Sequence, residues 1–161
     1  MVAQKTFNEA EAQRFFAIQF HNKARDLLEK SDRTKEETEL LIDYAHASLA
    51  HWRSAGTPIN HQRGVWLLSR VYSVLGQVAP ALSNANTCKQ LTDQYSDLMQ
   101  DFDLAFAWEA LARANALAGN LTETARFRKL AEESGQLIKD KEDRQFFFED
   151  LNGGDWHAFK E

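Results

Sequence analysis

Hydrophobic positions recur at helical spacing along the whole chain, and polar breaks divide them into seven predicted helices. Thr6-Phe7-Asn8-Glu9 has the form of a capping box, in which a Thr oxygen accepts from an exposed helical N–H and a Glu reaches back. Phe15, Phe16, Ile18, Phe20, Ala24, Leu27 and Leu28 then alternate with Arg14, Lys23, Arg25 and Glu29, predicting an amphipathic helix to about Lys30. Thr34-Lys35-Glu36-Glu37 is a second capping box, opening a helix with Leu41, Tyr44, Ala45, Leu49 and Trp52 inward. Gly56 is placed to end it with a left-handed residue, and Thr57-Pro58 to start the next with Thr57 as its cap.

The third helix carries Val65, Leu68, Tyr72 and Leu75 on one face, widened by Trp66, Leu67, Val71 and Val74, and closes at Gly76. It is predicted to be the most buried. Ala79-Pro80 opens a fourth helix through Ala81, Leu82, Ala85, Cys88 and Leu91, which ends in the polar run from Asp93 to Asp101, where Asp97 to Gln100 offers another capping box. The fifth, from about Asp101, holds Phe102, Ala105, Trp108, Leu111, Ala112 and Leu117 before Gly119-Asn120. Asn120 and Glu123 signal the sixth, whose face is read as Leu121, Ala125, Leu130, Ala131, Leu137 and Ile138. A charged hinge at Asp140 to Asp143 precedes a short seventh helix with Phe146, Phe147, Phe148 and Leu151, stopped by Asn152-Gly153-Gly154; Trp156 and Phe159 fold back onto apolar surface.

Short connections between long amphipathic helices make neighbours antiparallel. The expected fold is therefore all-α, a single domain spanning 1–161 with hairpins at about 7–55, 58–95 and 101–140 and a cap at 142–161. Composition agrees, since 2 prolines and 7 glycines in 161 residues leave long uninterrupted helices.

Residues 62–88 and 105–131 resemble the tetratricopeptide repeat, in which small residues let two helices approach and large ones fill the groove between hairpins. Aligned on their glycines, one unit offers Val65, Leu68, Ser69, Tyr72, Gly76, Ala81 and Cys88, the other Trp108, Leu111, Ala112, Asn115, Gly119, Ala125 and Ala131, with Ala125 one place late. The two glycines are further apart than the family's period of about 34 residues, and the closing proline is missing. The run from Asp101 to Arg113 is also similar to uncharacterised bacterial helical-repeat proteins.

The tetratricopeptide resemblance implies a right-handed stack whose inner groove is lined by the first helix of each hairpin. It implies a non-enzymatic module binding a protein or peptide through Arg63, Trp66, Arg70, Glu109 and Arg113. Guanidinium forks pair with carboxylates, and an indole is a large rigid contact. Beside this stands a plainer reading, with Glu109 and Arg113 as a surface ion pair and Trp66 in the core. A second functional class is a small-molecule sensor or enzyme with a pocket near Asp43, His46, His61 and Trp66, and a third is a homodimeric assembly factor.

A net charge of −5 speaks against general nucleic-acid binding. Asp43 and His46 lack a second carboxylate-histidine pair, so no metal is expected, and no cofactor motif is present. The N-terminus lacks the form of a secretory signal and the uncharged run 71–88 is broken by Gln77, Pro80, Asn84 and Asn86, so the expectation is a soluble, cytoplasmic chain that spans no membrane.

Overall fold

The computed structural model describes Thr6 and residues 8–160, and among these it contains α-helices and one 3-10 turn but no strand. The helices are α1 (Glu9–Glu29), α2 (Lys35–Ala55), α3 (Pro58–Val74), α4 (Val78–Gln94), α5 (Asp101–Ala118), α6 (Leu121–Gln136) and α7 (Lys141–Asn152). α1 packs on α2, α3 on α4 and α5 on α6; α2 meets α3, α4 meets α5, and α3 lies against α5. α7 packs on α5 and α6. It thus repeats toward the last hairpin the relation that α5 has to α3 and α4.

The caps explain most boundaries. Thr34 and Glu37 form the expected box, with Glu37 N donating to Thr34 Oγ1 at 3.1 Å and Thr34 N to Glu37 Oε2 at 2.9 Å. At the first helix the box is displaced: Asn8, not Thr6, accepts from Glu11 N at 2.8 Å, and Phe7 of the expected box lies outside the described residues. Pro58 takes the first turn of α3, where its missing N–H leaves no bond unmade, and the Asn60 side chain accepts from Thr57 N at 2.9 Å. Gly56 does close α2, but in extended backbone; its role is room, since a Cβ there would lie 2.6 Å from the Trp52 carbonyl oxygen. The charged stretch read as a hinge is a cap instead, with Asp140 Oδ1 accepting from Glu142 N and Asp143 N at 2.9 and 3.0 Å.

Gly76 and Gly119 close α3 and α5 in the same way. Both sit at positive φ, +71° and +79°, and the following residue bonds back five positions, Gln77 N to Tyr72 O and Asn120 N to Asn115 O, each at 2.9 Å. This is the closure that left-handed glycine permits. No atom would crowd a Cβ at Gly119, so backbone strain alone should set the effect of a side chain there. Gly119→Ala is expected to lose about 1 kcal/mol and Gly119→Asn less, read from urea unfolding midpoints. The extra length between the two glycines is partly taken up by the connection from α4 to α5, where a 3-10 turn at Ser96–Leu98 precedes the start of α5 at Asp101.

Alanines mark the crossings. Leu41, Ala45, Leu49, Val65, Leu68 and Val71 fill the junction of the first two hairpins, Ala81, Ala85, Ala110, Leu111 and Ala114 the next, and Ala105, Ala131, Ile138, Phe147 and Leu151 the seat of α7. Gly64 lets α3 approach Leu49 of α2, whose Cδ1 would be 2.8 Å from an added Cβ. The sixth helix departs from expectation. Leu121, Ala125 and Leu137 are exposed, Leu137 at 75%, and the buried stripe is Thr124, Arg128, Ala131 and Gly135. That stripe explains the late alanine, because Thr124 lies as far beyond Gly119 as buried Ala81 lies beyond Gly76.

Candidate functional site

The five residues singled out for a groove divide into two groups. Arg70, Glu109 and Arg113 form one buried network beneath α7. Glu109 is fully buried, its Oε1 accepting from Arg70 Nη1 at 3.2 Å and from Arg113 Nε, while Arg70 Nη2 reaches Asp150 Oδ1 on α7 at 3.2 Å. Arg113 continues to main-chain oxygens at the end of α7: Asp150 O at 2.5 Å, Gly153 O at 2.9 Å and Asp155 O at 3.3 Å. Burial lowers the Arg113 pKa from its ordinary value, and the Glu109 carboxylate pushes it back up.

Arg128 on α6 acts in parallel, donating to Leu151 O at 2.9 Å, and the Trp156 ring lies under both guanidiniums at 4.2 and 4.5 Å. Trp156 Nε1 also donates to Leu151 O. A helix ends in carbonyls without intrahelical donors and carries partial negative charge there. Here cations from α5 and α6 satisfy them, and Gly154, at positive φ, lets the tail pass with its Cα side within reach of Arg70 and Arg113. The plainer reading of Glu109 and Arg113 as a surface pair is corrected: they do pair, but buried.

Arg63 and Trp66 form the second group. Arg63, with 40% of its side chain exposed, pairs in a fork with buried Asp103, Nε to Oδ1 at 2.9 Å and Nη2 to Oδ2 at 3.1 Å, and lies over the Phe102 ring at 4.9 Å. Asp103 is fixed in turn by Gln100 N at 2.9 Å. Trp66 packs edge-on against Phe106, ring centres 5.3 Å apart.

These two residues line a cleft with α3 as its floor, α1 on one side and α7 on the other. It consists of adjoining hollows that share residues. One of about 170 Å³ is walled by Arg25, Arg63, Trp66, Phe102, Phe106 and Phe146; beside it, one of about 190 Å³ is reached by Leu28, Trp66, Arg70, Phe146 and Asp150. A further 190 Å³ extends past Ile18, Trp52 and Asn60, and 280 Å³ past Ser73 toward Asp155 and His157. Among the described residues, four that line the cleft keep a buried polar atom without a hydrogen-bond partner: Gln62 Oε1, Trp66 Nε1, Ser73 Oγ and Asp150 Oδ2. A larger open depression of about 620 Å³ lies at Met99, Leu104 and Leu137, between the ends of α4, α5 and α6. None of the unpartnered buried atoms belongs to its walls.

His21 and Arg25 of α1 and Phe146 and Asp150 of α7 were not identified from sequence as groove residues. The first hairpin lacks the repeat pattern, and α7 reads only as a cap. His21 is held below its ordinary pKa by burial and by the charge of Arg25. The folded protein thus takes up its proton less readily than the unfolded chain. Its contribution to stability is full above pH 6.5 and is lost as the pH falls from there through the folded value. Unfolding free energy measured between pH 7.5 and 5 is expected to fall on acidification, with a shallower slope in His21→Gln.

The histidine grouping is not assembled. His46 Nε2 meets the Tyr72 hydroxyl at 2.7 Å, His61 Nε2 meets the Trp52 carbonyl at 3.0 Å, and Asp43 is exposed. Among the described residues no group of three His, Cys, Asp or Glu side chains is placed to hold a metal, and no helix is long and apolar enough to cross a membrane. Cys88 is buried and its thiol pKa is raised, chiefly by burial. Comparison with known proteins gives no match to a family model, to a curated protein or to a solved structure.

Proposed function

We propose that the chain is a non-enzymatic, tetratricopeptide-like cytoplasmic module that binds an extended segment of a protein partner in the cleft between α1 and α7. The supporting observation is the run of adjoining hollows over α3 that share lining residues, with Arg63 and Trp66 among them. Arg70 and Arg113 line the hollows toward α7 as well as holding that wall, while buried Glu109 serves the cleft indirectly by fixing both arginines. Main-chain groups of the partner supply affinity along the cleft, and side chains seated in the hollows supply specificity.

A displayed library of random peptides tests this reading. Peptides enriched by the wild type should lose tenfold or more in affinity on Arg63→Gln and on Phe146→Ala, both at the cleft edge, with unfolding midpoints checked to confirm the fold. No enrichment, or enriched peptides indifferent to both variants, overturns it.

A further inference from the structure

The 170 Å³ hollow has the chemistry of a specific anchor. Trp66, Phe102, Phe106 and Phe146 give it aromatic walls, and Phe146 stands half-exposed beside Phe106, ring centres 6.2 Å apart. Its volume is close to the roughly 150 Å³ that takes one benzene ring in an apolar protein cavity. Edge-to-face contact with such walls favours an aromatic guest over an aliphatic one of equal size.

The charged groups are asymmetric. Asp103, the one carboxylate among the described residues of the wall, accepts the Arg63 fork with both oxygens and also Gln100 N, so its capacity is largely taken. Among the described residues Arg63 Nη1 has no acceptor, Nε and Nη2 being the atoms that bond Asp103. Among the described residues Arg25 donates no hydrogen bond, and its one ion pair is a 3.7 Å approach to the exposed Glu29. His21 is uncharged at neutral pH for the reason given above. The hollow therefore presents one net positive charge and unused guanidinium donors beside a ring-sized space, and a guanidinium is the group that takes a carboxylate as a fork.

We infer that this hollow, walled by Trp66, Phe106 and Phe146 with Arg25 and Arg63 at its rim, anchors the partner by an aromatic side chain next to an acidic residue. The inference rests on the peptide-binding reading and names the feature the peptide must carry. The ring enters the hollow and the neighbouring carboxylate meets Arg25 and the free edge of Arg63. The unsatisfied polar atoms of Gln62 and Trp66 fit this account, since a wall shaped for packing alone pairs or excludes such groups.

The test is titration of ¹⁵N-labelled full-length protein with acetyl-Asp-Phe-amide, acetyl-Asn-Phe-amide, acetyl-Asp-Ala-amide and free phenylacetate, following the Trp66 indole N–H. Acetyl-Asp-Phe-amide should shift that resonance saturably, with affinity at least fivefold above each of the two altered dipeptides. Arg25→Gln should reduce the difference between Asp and Asn, leaving the part that Arg63 supplies, while the ring preference stays. Equal binding of the Asn form, no shift of Trp66, or phenylacetate binding more tightly than the dipeptide overturns the inference. The two readings fail separately. Library peptides that depend on Arg63 and Phe146 but carry no acidic-aromatic pair remove only the anchor; absence of any enriched peptide removes the cleft reading beneath it.

Discussion

Replacing Arg113 by alanine is expected to lower the unfolding free energy by about 3–5 kcal/mol, the cost of breaking a buried ion pair from one side. The substitution leaves the Glu109 carboxylate buried with Arg70 alone, and it strips donors from the Asp150 and Gly153 carbonyls that end α7. Trp156 loses one of its two stacked guanidiniums. Because the charge left behind accounts for much of this cost, a double variant Glu109→Leu/Arg113→Met, which keeps bulk and removes both charges, should recover part of the loss. Equilibrium denaturation in urea on the two variants checks both statements. A surface role for the pair predicts at most about 1 kcal/mol for the single change.

Phe147→Ala should cost about 3–5 kcal/mol by emptying the seat of α7. Phe147 is fully buried among Ala105, Ala131, Ile138 and Leu151, and its ring meets Phe106 edge-on with centres 5.0 Å apart. The seat exists because α6 carries Gly135, where a Cβ would sit against the Phe147 ring and 2.9 Å from Phe148 Cζ. Gly135→Ala therefore overpacks the same contact and should cost about 1–3 kcal/mol, although alanine favours an isolated helix. Phe147→Ala and Arg113→Ala both act by releasing α7, so their effects should fall short of additive when combined. A reduced urea dependence in either variant would accompany α7 leaving the native state first.

The helices were legible in the sequence because their ends are written locally: Thr34 with Glu37, Thr57 with Pro58, and the two left-handed glycines each require only neighbours within one turn. The stacking of hairpins followed from short connections. What sequence could not show is where side chains of opposite polarity end up when a distant element docks. Glu109 and Arg113, four residues apart, have the spacing of a solvated pair, and it is Arg70 on α3 together with Asp150 and the turn at Gly153, some forty residues on, that encloses them. The face of α6 was read correctly at Ala131 and Ile138 and misread at Leu121, Ala125 and Leu137 for a related reason. Close approach of α5 and α7 selects Thr124, Ala131 and Gly135, small residues with weak hydrophobic signal, over the leucines at its ends.

The cleft was half legible. Arg63 and Trp66 were found through the repeat alignment, whereas His21 and Arg25 sit among the polar positions of a helix without repeat signature. Phe146 belongs to an aromatic run whose members part ways: Phe147 enters the core and Phe146 remains at the cleft edge. Three adjacent phenylalanines on a helix necessarily point in different directions, so the run implies both a core anchor and an exposed ring.

The account turns on α7 being a built-in wall of the cleft, fixed by Arg113, Arg128 and Phe147. Amide hydrogen exchange on the wild-type protein tests this most directly. Amides of the last two turns of α7, through Leu151, should show protection in the range of α5 and α6; exchange there at the rate of an unfolded chain, with α3 and α5 still protected, contradicts it.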